Sequence, residues 1–425
     1  MPSSSKQTLV VIGGGAAGLF CAVNAARLAP SLQVILLERS NKLLSKVKIS
    51  GGGRCNVTHA CFDRTLLPGY YPRGSGFVKR YQHHFFTRDT IDWFAARNVV
   101  LKTEEDGRMF PVTDSSQTII DTLLQEASTY RVQIRLQAAV SLLVPGDGQL
   151  EIQLQKGEKI IAQYCCIACG GSPQAASFDW IRALGHTIVD PLPSLFTFNA
   201  PKDPIVSLQG VSVQEVTVKI SGTKFVQTGP CLITHWGLSG PAVLKLSAYA
   251  ARELAQRNYS FAIQVNWLAG EGHNATTLAT VLADQRLRHP AQKISNGKLH
   301  TIPQRLWDFF LSQAGIPPER RWADLSRREE NQLIRLLTDM PMRIEGKTTF
   351  KEEFVTAGGV ELSEIDPATM RSKKIPGLYF AGEIMNVDGI TGGFNFQHAW
   401  SSGMLAARSI ALLQQTALTT DRTEA

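Results

Sequence analysis

Three glycines and one acid carry the clearest chemistry in this sequence. Gly13, Gly15 and Gly18 are spaced G-x-G-x-x-G, with Gly14, Ala16 and Ala17 between them, and Glu38 stands 20 residues after Gly18. In that spacing the first glycine allows a tight turn, the second lacks a Cβ that would hold off a pyrophosphate, and the third lets a helix lie close to the sheet. The helix start then offers unpaired N–H groups and a partial positive charge to phosphates. A carboxylate at Glu38 can accept hydrogen bonds from ribose hydroxyls and disfavours a 2′-phosphate. The set points to a bound dinucleotide, FAD or NAD rather than NADP.

Other residues extend this chemistry. Ser50-Gly51-Gly52-Gly53-Arg54-Cys55-Asn56 follows Lys46 closely. Successive glycines can turn several N–H groups toward one anion, and Arg54 adds a fixed donor fork. The loop reads as a second clamp on the same phosphates. Arg54 could lower the pKa of Cys55, although a structural role for this cysteine is favoured. Toward the C-terminus, Asp388 to Gln397 includes Gly392-Gly393-Phe394-Asn395 and leads into a helix read as Gln397 to Leu413, with fraying after Thr416. The adjacent glycines permit an unusual backbone path, and the helix start presents more free donors.

Cys166 and Cys169 form a C-x-x-C that reads as packing, not redox chemistry. On a strand from Tyr164 to Ala168 they point to opposite faces, while Cys165 and Cys169 would sit roughly 13 Å apart, beyond disulfide reach. No Cys/His set has zinc spacing. There is no Ser-His-Asp order and no paired-carboxylate signature, so no catalytic residue can be named and no metal is expected.

These groups need elements to hold them. Leu9 to Ile12 is a short β-branched apolar run before the glycine turn. A helix through Leu28 follows, then a strand Val34 to Leu37 ending at Glu38 and Arg39: a βαβ unit. A helix is expected from Thr87, as N-cap, to Asn98, and another from Ser115 to Ala127. Val132 to Leu136 reads as a strand, and Glu151 to Leu154 with Lys159 to Ile161 as a hairpin. Leu378 to Glu383 is a further strand ending in Gly382-Glu383. From Pro191 the composition turns to antiparallel strands, at Leu195 to Asn199, Val211 to Ile220, Lys224 to Gln227 and Phe261 to Trp267. Within them, Thr234 to Pro241 opens a helix through Leu254. Residues 275 to 338 have helical period, and Phe354 brings the chain back. The fold class is α/β: a Rossmann-like dinucleotide domain (1–193 and 355–425) carrying an inserted antiparallel β domain (194–269 and 339–354) and a small helical lobe (270–338).

The chain has 425 residues, too many for one ordinary core. No apolar run reaches the roughly 18 residues that span a bilayer, so no membrane partner is expected. The N-terminus lacks a secretory h-region, which makes the cytoplasm the expected compartment. Seven cysteines with irregular spacing are not a disulfide framework. Net charge is +8 and the pI is near 9.1. The clusters Arg320-Arg321 and Arg327-Arg328 are flanked by Glu319, Asp324, Glu329 and Glu330, so a solvated surface is favoured over a nucleic-acid partner.

Gly13 to Gly18, Glu38, Ser50 to Asn56, and the closing segment Thr356 to Val360 through Gly382-Glu383 to Gly392-Gly393-Phe394-Asn395 resemble the aminoacetone-oxidase or bile-acid-reductase (BaiN) family of flavoproteins. The resemblance spans nearly the whole chain. It departs at Leu44-Ser45, where the family often has Gly-Arg before the lysine, and at Asn386, where an acid is common. It implies FAD as cofactor, with Val140 against the adenine through its backbone. It also implies Glu383 at the ribityl or pyrophosphate region, and the helix after Asn395 at the flavin's pyrimidine end. If NADH or NADPH is the donor, it is expected to bind only transiently, because no second fingerprint is present. The implied activity is oxidation of an amine or reduction of an activated double bond in a small-molecule substrate. An FAD-dependent tRNA-modifying protein is the alternative.

Overall fold

A computed structural model of the chain describes residues 6–298, 302–349 and 355–423. The chain divides into two compact units, Met1–Pro193 with Lys351–Ala425, and Ser194–Phe350. The expected return at Phe354 lies outside the described residues.

The first unit is built on a five-stranded parallel sheet. Its strands are β1 (Thr8–Ile12), β2 (Gln33–Leu37), β3 (Gln133–Arg135), β4 (Tyr164–Ile167) and β5 (Leu378–Phe380), in the order β5-β4-β1-β2-β3. Both faces of such a sheet are covered, so its central strands read as continuous apolar runs. All five residues of β1 are buried. The helix α1 (Ala16–Leu28) runs from the end of β1 toward β2, as the βαβ reading requires. An antiparallel pair, Ile188–Pro193 with Thr356–Val360, stands where the chain leaves this unit and re-enters it. The hairpin after residue 150 gains a third strand, Val140–Pro145, to form a meander.

The helix expected to be capped by Thr87 spans Thr87–Ala95, with Phe86 as its N-cap residue. The Asp89 carboxylate accepts from Phe86 N–H at 2.8 Å, which draws Thr87 into the buried first turn. The last helix, Phe394–Thr423, begins three residues before Gln397 and runs past Thr416. It is called α3 below, with α2 the segment Ser45–Gly53.

In the second unit a seven-stranded antiparallel sheet joins Met340–Glu345, Ser260–Asn266, Ser212–Ile220, Val226–Thr234, Gly237–Ser239, Thr197–Asn199 and Lys347–Thr348 in that order. The stretch after Thr234 therefore first forms a short strand, and the helix begins only at Pro241. Three residues that include a glycine carry no readable period. Val218 from the sheet and Trp267 just after the strand Ser260–Asn266 share one hydrophobic core with Leu278, Trp307, Trp322 and Leu337 from the helical segments. No helix among the described residues is long and apolar enough to cross a membrane.

In the first unit α1 packs closely on α3. A Cβ on Gly403 would lie 2.7 Å from the carbonyl oxygen of Ala17 and 3.3 Å from the amide of Cys21. Beside this contact Phe20 packs on Trp400, ring centroids 5.2 Å apart. The obstructing atoms are backbone, so they cannot swing aside. Gly403→Ala is therefore expected to push the helices apart and cost about 1–3 kcal/mol, read as a lower midpoint in urea unfolding.

Candidate functional site

The turn after β1 is held by backbone contacts that leave no room for side chains. Gly13 has φ +113°, and a Cβ there would lie 2.4 Å from the oxygen of Ala168. A Cβ on Gly18 would lie 2.0 Å from the oxygen of Gly13. Gly15 differs: no heavy atom lies within 4 Å of its missing Cβ. It is the extended N-cap of α1 and supplies no side-chain cap, so the first N–H groups of α1 lack intrahelical partners beside an open space. A pyrophosphate fits that cradle in size and in charge. Ala16 and Ala17 form the first turn around it.

Glu38 closes one side. Its Oε2 accepts from Gly14 N–H and its Oε1 from Ser40 N–H, each at 2.8 Å. A carboxylate has about four lone-pair positions, so capacity remains for ribose hydroxyls. Ala138 N–H donates to the Glu38 carbonyl oxygen at 2.9 Å, which brings the start of the strand at Val140 near this end. Arg39 is exposed next to it.

On the other side, Lys46 Nζ donates to Glu383 Oε2 at 2.6 Å, and Glu383 Oε1 accepts from Thr356 N–H at 2.8 Å. A Cβ on Gly382 would lie 2.7 Å from Ala17 Cβ, so this acid arrives directly against the start of α1. The glycine loop at the end of α2 departs from helical geometry at Ser50, Gly51 and Gly52. Arg54 does not stand free as a clamp. It donates to Glu104 at 2.5 Å and lies over the Phe110 ring at 4.0 Å. Cys55 is buried, and burial pushes its thiol up to about 12, so neighbouring Arg54 does not make it a thiolate.

Asn56 links this loop to the C-terminal stretch: its Oδ1 accepts from Gly393 N–H at 3.0 Å and its Nδ2 donates to the Thr58 oxygen at 2.9 Å. Asn395 clips the preceding turn, its Oδ1 accepting from Gly389 N–H at 2.8 Å and its Nδ2 donating to the Gly389 oxygen at 2.9 Å. Phe394 stacks on Tyr70, centroids 4.4 Å apart, while His59 Nδ1 lies 3.1 Å from the Gly392 oxygen. Asp388 is fully buried and paired with both arms of Arg73.

Several residues singled out in the sequence thus form a rim of three tied sets: the 13–18 turn with Glu38, Lys46 with Glu383, and Asn56 with Gly393. The sequence reading missed the residues that fix this rim from behind. Tyr81 O–H donates to His398 Nδ1 at 2.8 Å, and His398 Nε2–H donates to the Gly382 oxygen at 3.3 Å. Ser402 Oγ accepts from Gly382 N–H at 2.9 Å. The N–H and the C=O of Gly382 are therefore both held by α3. Cys165 and Cys166 are buried in β4, unbridged. Cys166 is hydrogen-bonded to Cys21, and that contact together with burial pushes its thiol well up.

Two outcomes follow from this geometry. Gly15→Val fills the open space at α1, so the purified variant should lose visible flavin absorbance while its far-UV spectrum is retained. The second concerns His398, which burial pushes down to about 4 from an unfolded value near ~6.5. Between those pH values the unfolded chain binds a proton that the folded chain refuses. Stability therefore falls as pH drops through this window, by up to about 3 kcal/mol. His398→Gln should flatten that part of the stability–pH curve from urea unfolding; an unchanged slope would refute the assignment.

Comparison with known proteins places the chain. A model for the family described as HI0933-like protein Rossmann domain matches residues 7–409. A ribosomal RNA dihydrouridine synthase of Escherichia coli is 32% identical over 416 residues, covering 94% of this chain and 97% of that protein. A 3-dehydro-bile acid delta(4,6)-reductase of Clostridium scindens is 28% identical over 410 residues, covering 94% and 98%. Among solved structures, a 3-ketosteroid-delta4-(5alpha)-dehydrogenase of Rhodococcus jostii superposes with TM-score 0.50 at 14% identity, covering 97% of this chain and 98% of that one, a likeness of fold. With the α/β Rossmann-type sheet, the dinucleotide turn and a family match along nearly its whole length, the chain belongs to the HI0933-like family and is an FAD-dependent oxidoreductase.

Proposed function

We propose that this oxidoreductase reduces a carbon–carbon double bond conjugated to a carbonyl, and that its substrate is a uridine of ribosomal RNA. The observation that carries the reading is the end-to-end likeness, at 32% identity, to a protein named ribosomal RNA dihydrouridine synthase. Sequence alone favours a small molecule, because the basic clusters are interleaved with acids. The division into units supports RNA instead. Between residues 194 and 350 there are 18 Lys and Arg against 12 Asp and Glu, so this unit carries six of the chain's eight net positive charges. A basic domain attached to a redox domain suits a polyanionic substrate.

The C5–C6 bond of uridine is conjugated to its C4 carbonyl, and saturating it requires one hydride and one proton. FAD, when bound and first reduced by NADH or NADPH, would supply the hydride and return to its oxidised form, with the proton coming from solvent or a side chain. The chain's own part is to seat the pyrophosphate on the free N–H groups of α1, to hold the ribose beside Glu38, and to keep Gly382-Glu383 fixed through His398 and Ser402. A second reading, a small enone substrate, draws on the 28% identical bile acid reductase. Amine oxidation has no such support.

The test is anaerobic incubation of the purified protein with NADH or NADPH and ribosomal RNA transcribed in vitro, followed by nucleoside mass spectrometry. Dihydrouridine is expected, with oxidation of the nicotinamide in equal amount. No dihydrouridine, alongside turnover of a 3-keto-Δ4,6 steroid, would replace the RNA reading with the second one.

A further inference from the structure

We propose that one corner of the second unit is a docking site for the phosphodiester backbone of RNA, formed by Arg288, His289, Lys293, Lys298 and Arg321. The proposal rests on the RNA reading above and locates the contact.

Helix Ala275–Arg288 ends at this corner. The chain then runs antiparallel to residues 318–323. Ile294 N–H donates to the Arg320 oxygen at 2.8 Å, Trp322 N–H to the Gln292 oxygen at 3.1 Å and Ala323 N–H to the Pro290 oxygen at 3.0 Å. This ladder sets Lys293 directly opposite Arg321 as an antiparallel bridge pair. Side chains so placed share a face with Cβ atoms about 4.5–5.5 Å apart, and like charges there repel. Both are exposed. Neither makes an ion pair with an acid among the described residues.

Two of the four acids that flank this region in the sequence are engaged by other arginines. Glu329 pairs with Arg320 at 3.0 Å, and Glu330 faces Arg286 at 3.5 Å. Asp284 takes Arg288 Nε at 2.8 Å, leaving the other donors of that guanidinium outward. Glu319 and Asp324 are exposed and reach neither Lys293 nor Arg321 within ion-pair distance.

Beside the pair lies an open cleft of about 580 Å³, lined among others by Arg288, His289, Gln292 and Lys298. The cleft and the repelling pair together present several donors, of which, among the described residues, only Arg288 is paired with an acid. A string of phosphates relieves the repulsion at successive positions, as a single carboxylate cannot. Nothing in this arrangement reads base edges, so the contact positions RNA without selecting its sequence.

The test compares three proteins by fluorescence anisotropy with a labelled fragment of ribosomal RNA over a range of salt: wild type, the triple variant Lys293→Glu/Lys298→Glu/Arg321→Glu, and a control with the same charge change elsewhere in the unit, Lys202→Glu/Lys219→Glu/Lys224→Glu. Flavin content and the melting temperature report folding. The site variant is expected to bind at least about tenfold more weakly and to lose about three from the salt slope, one for each phosphate contact, while the control loses much less. Equal weakening in both variants would overturn the site, even if the wild type still forms dihydrouridine. Tighter binding of poly-glutamate than of RNA at these residues would overturn it in favour of an acidic protein. Failure of the wild type to bind RNA at low salt would overturn the docking site and the RNA reading together.

Discussion

The first unit depends on how closely three backbones meet at the turn after β1. The space beside Gly18 is filled by the Gly13 carbonyl, and the space beside Gly13 by the end of β4. Nothing at this junction can rotate, because the obstructing atoms belong to the main chain. The amides at the start of α1 are therefore held in place before any ligand arrives, and no reorganisation is needed to aim them. Gly15 alone in this turn faces open space. The contrast between neighbouring glycines fits a motif with a gap of fixed length: two positions close the junction and the one between them stays open.

The rest of the rim is fixed by ties between distant parts of the chain. Lys46 meets Glu383, Thr58 Oγ1 donates to Gln397 Oε1 at 2.6 Å, and Arg73 meets Asp388. Burying an ion pair such as Arg73–Asp388 adds little to stability, because desolvation offsets the attraction, whereas loss of one partner leaves an unmatched charge. Such a pair specifies an arrangement more than it strengthens it. All these ties lie within the first unit. The chain leaves and re-enters that unit through adjacent antiparallel strands, Ile188–Pro193 and Thr356–Val360. More than 150 residues can thus be inserted there without separating the two halves of the cofactor fold.

Local order made part of this legible in the sequence. The βαβ unit could be read because its glycine spacing and apolar runs are properties of neighbouring residues. The engagement of Arg54 could not: Glu104, which takes its guanidinium, is 50 residues away and looks like any surface acid. The same holds for Asp388, which reads as a loop acid near a ligand but is buried against Arg73. Gln397 seemed to start the last helix because glycines precede it. Packing of Phe394 on Tyr70 starts it earlier. Tyr81 and His398, which fix Gly382, are 317 residues apart and carry no motif. The pairing of charges was illegible for a related reason. Acids adjacent in sequence seemed to neutralise Arg320-Arg321, yet in the fold Glu329 serves only the first of the pair.

The two units differ in how they carry positive charge. A pyrophosphate is a small, fixed pair of charges, and amides at a helix start can meet it at short range with defined direction. The first unit, with only two of the chain's eight net positive charges, needs no large excess for that. The second unit has its own packed core, with Trp267, Trp307 and Trp322 fully buried, so its excess charge adds nothing to that core and costs self-repulsion. Exposed lysine and arginine are poorly suited to orient one small anion, because their stems are flexible and water screens them. They suit a repeating anion whose condensed counterions are released on contact, where many weak attractions add and orientation matters less. On the reading proposed above, a chain that holds its cofactor with rigid dipoles and carries its excess cations on another domain binds two anionic partners without the two competing for the same groups.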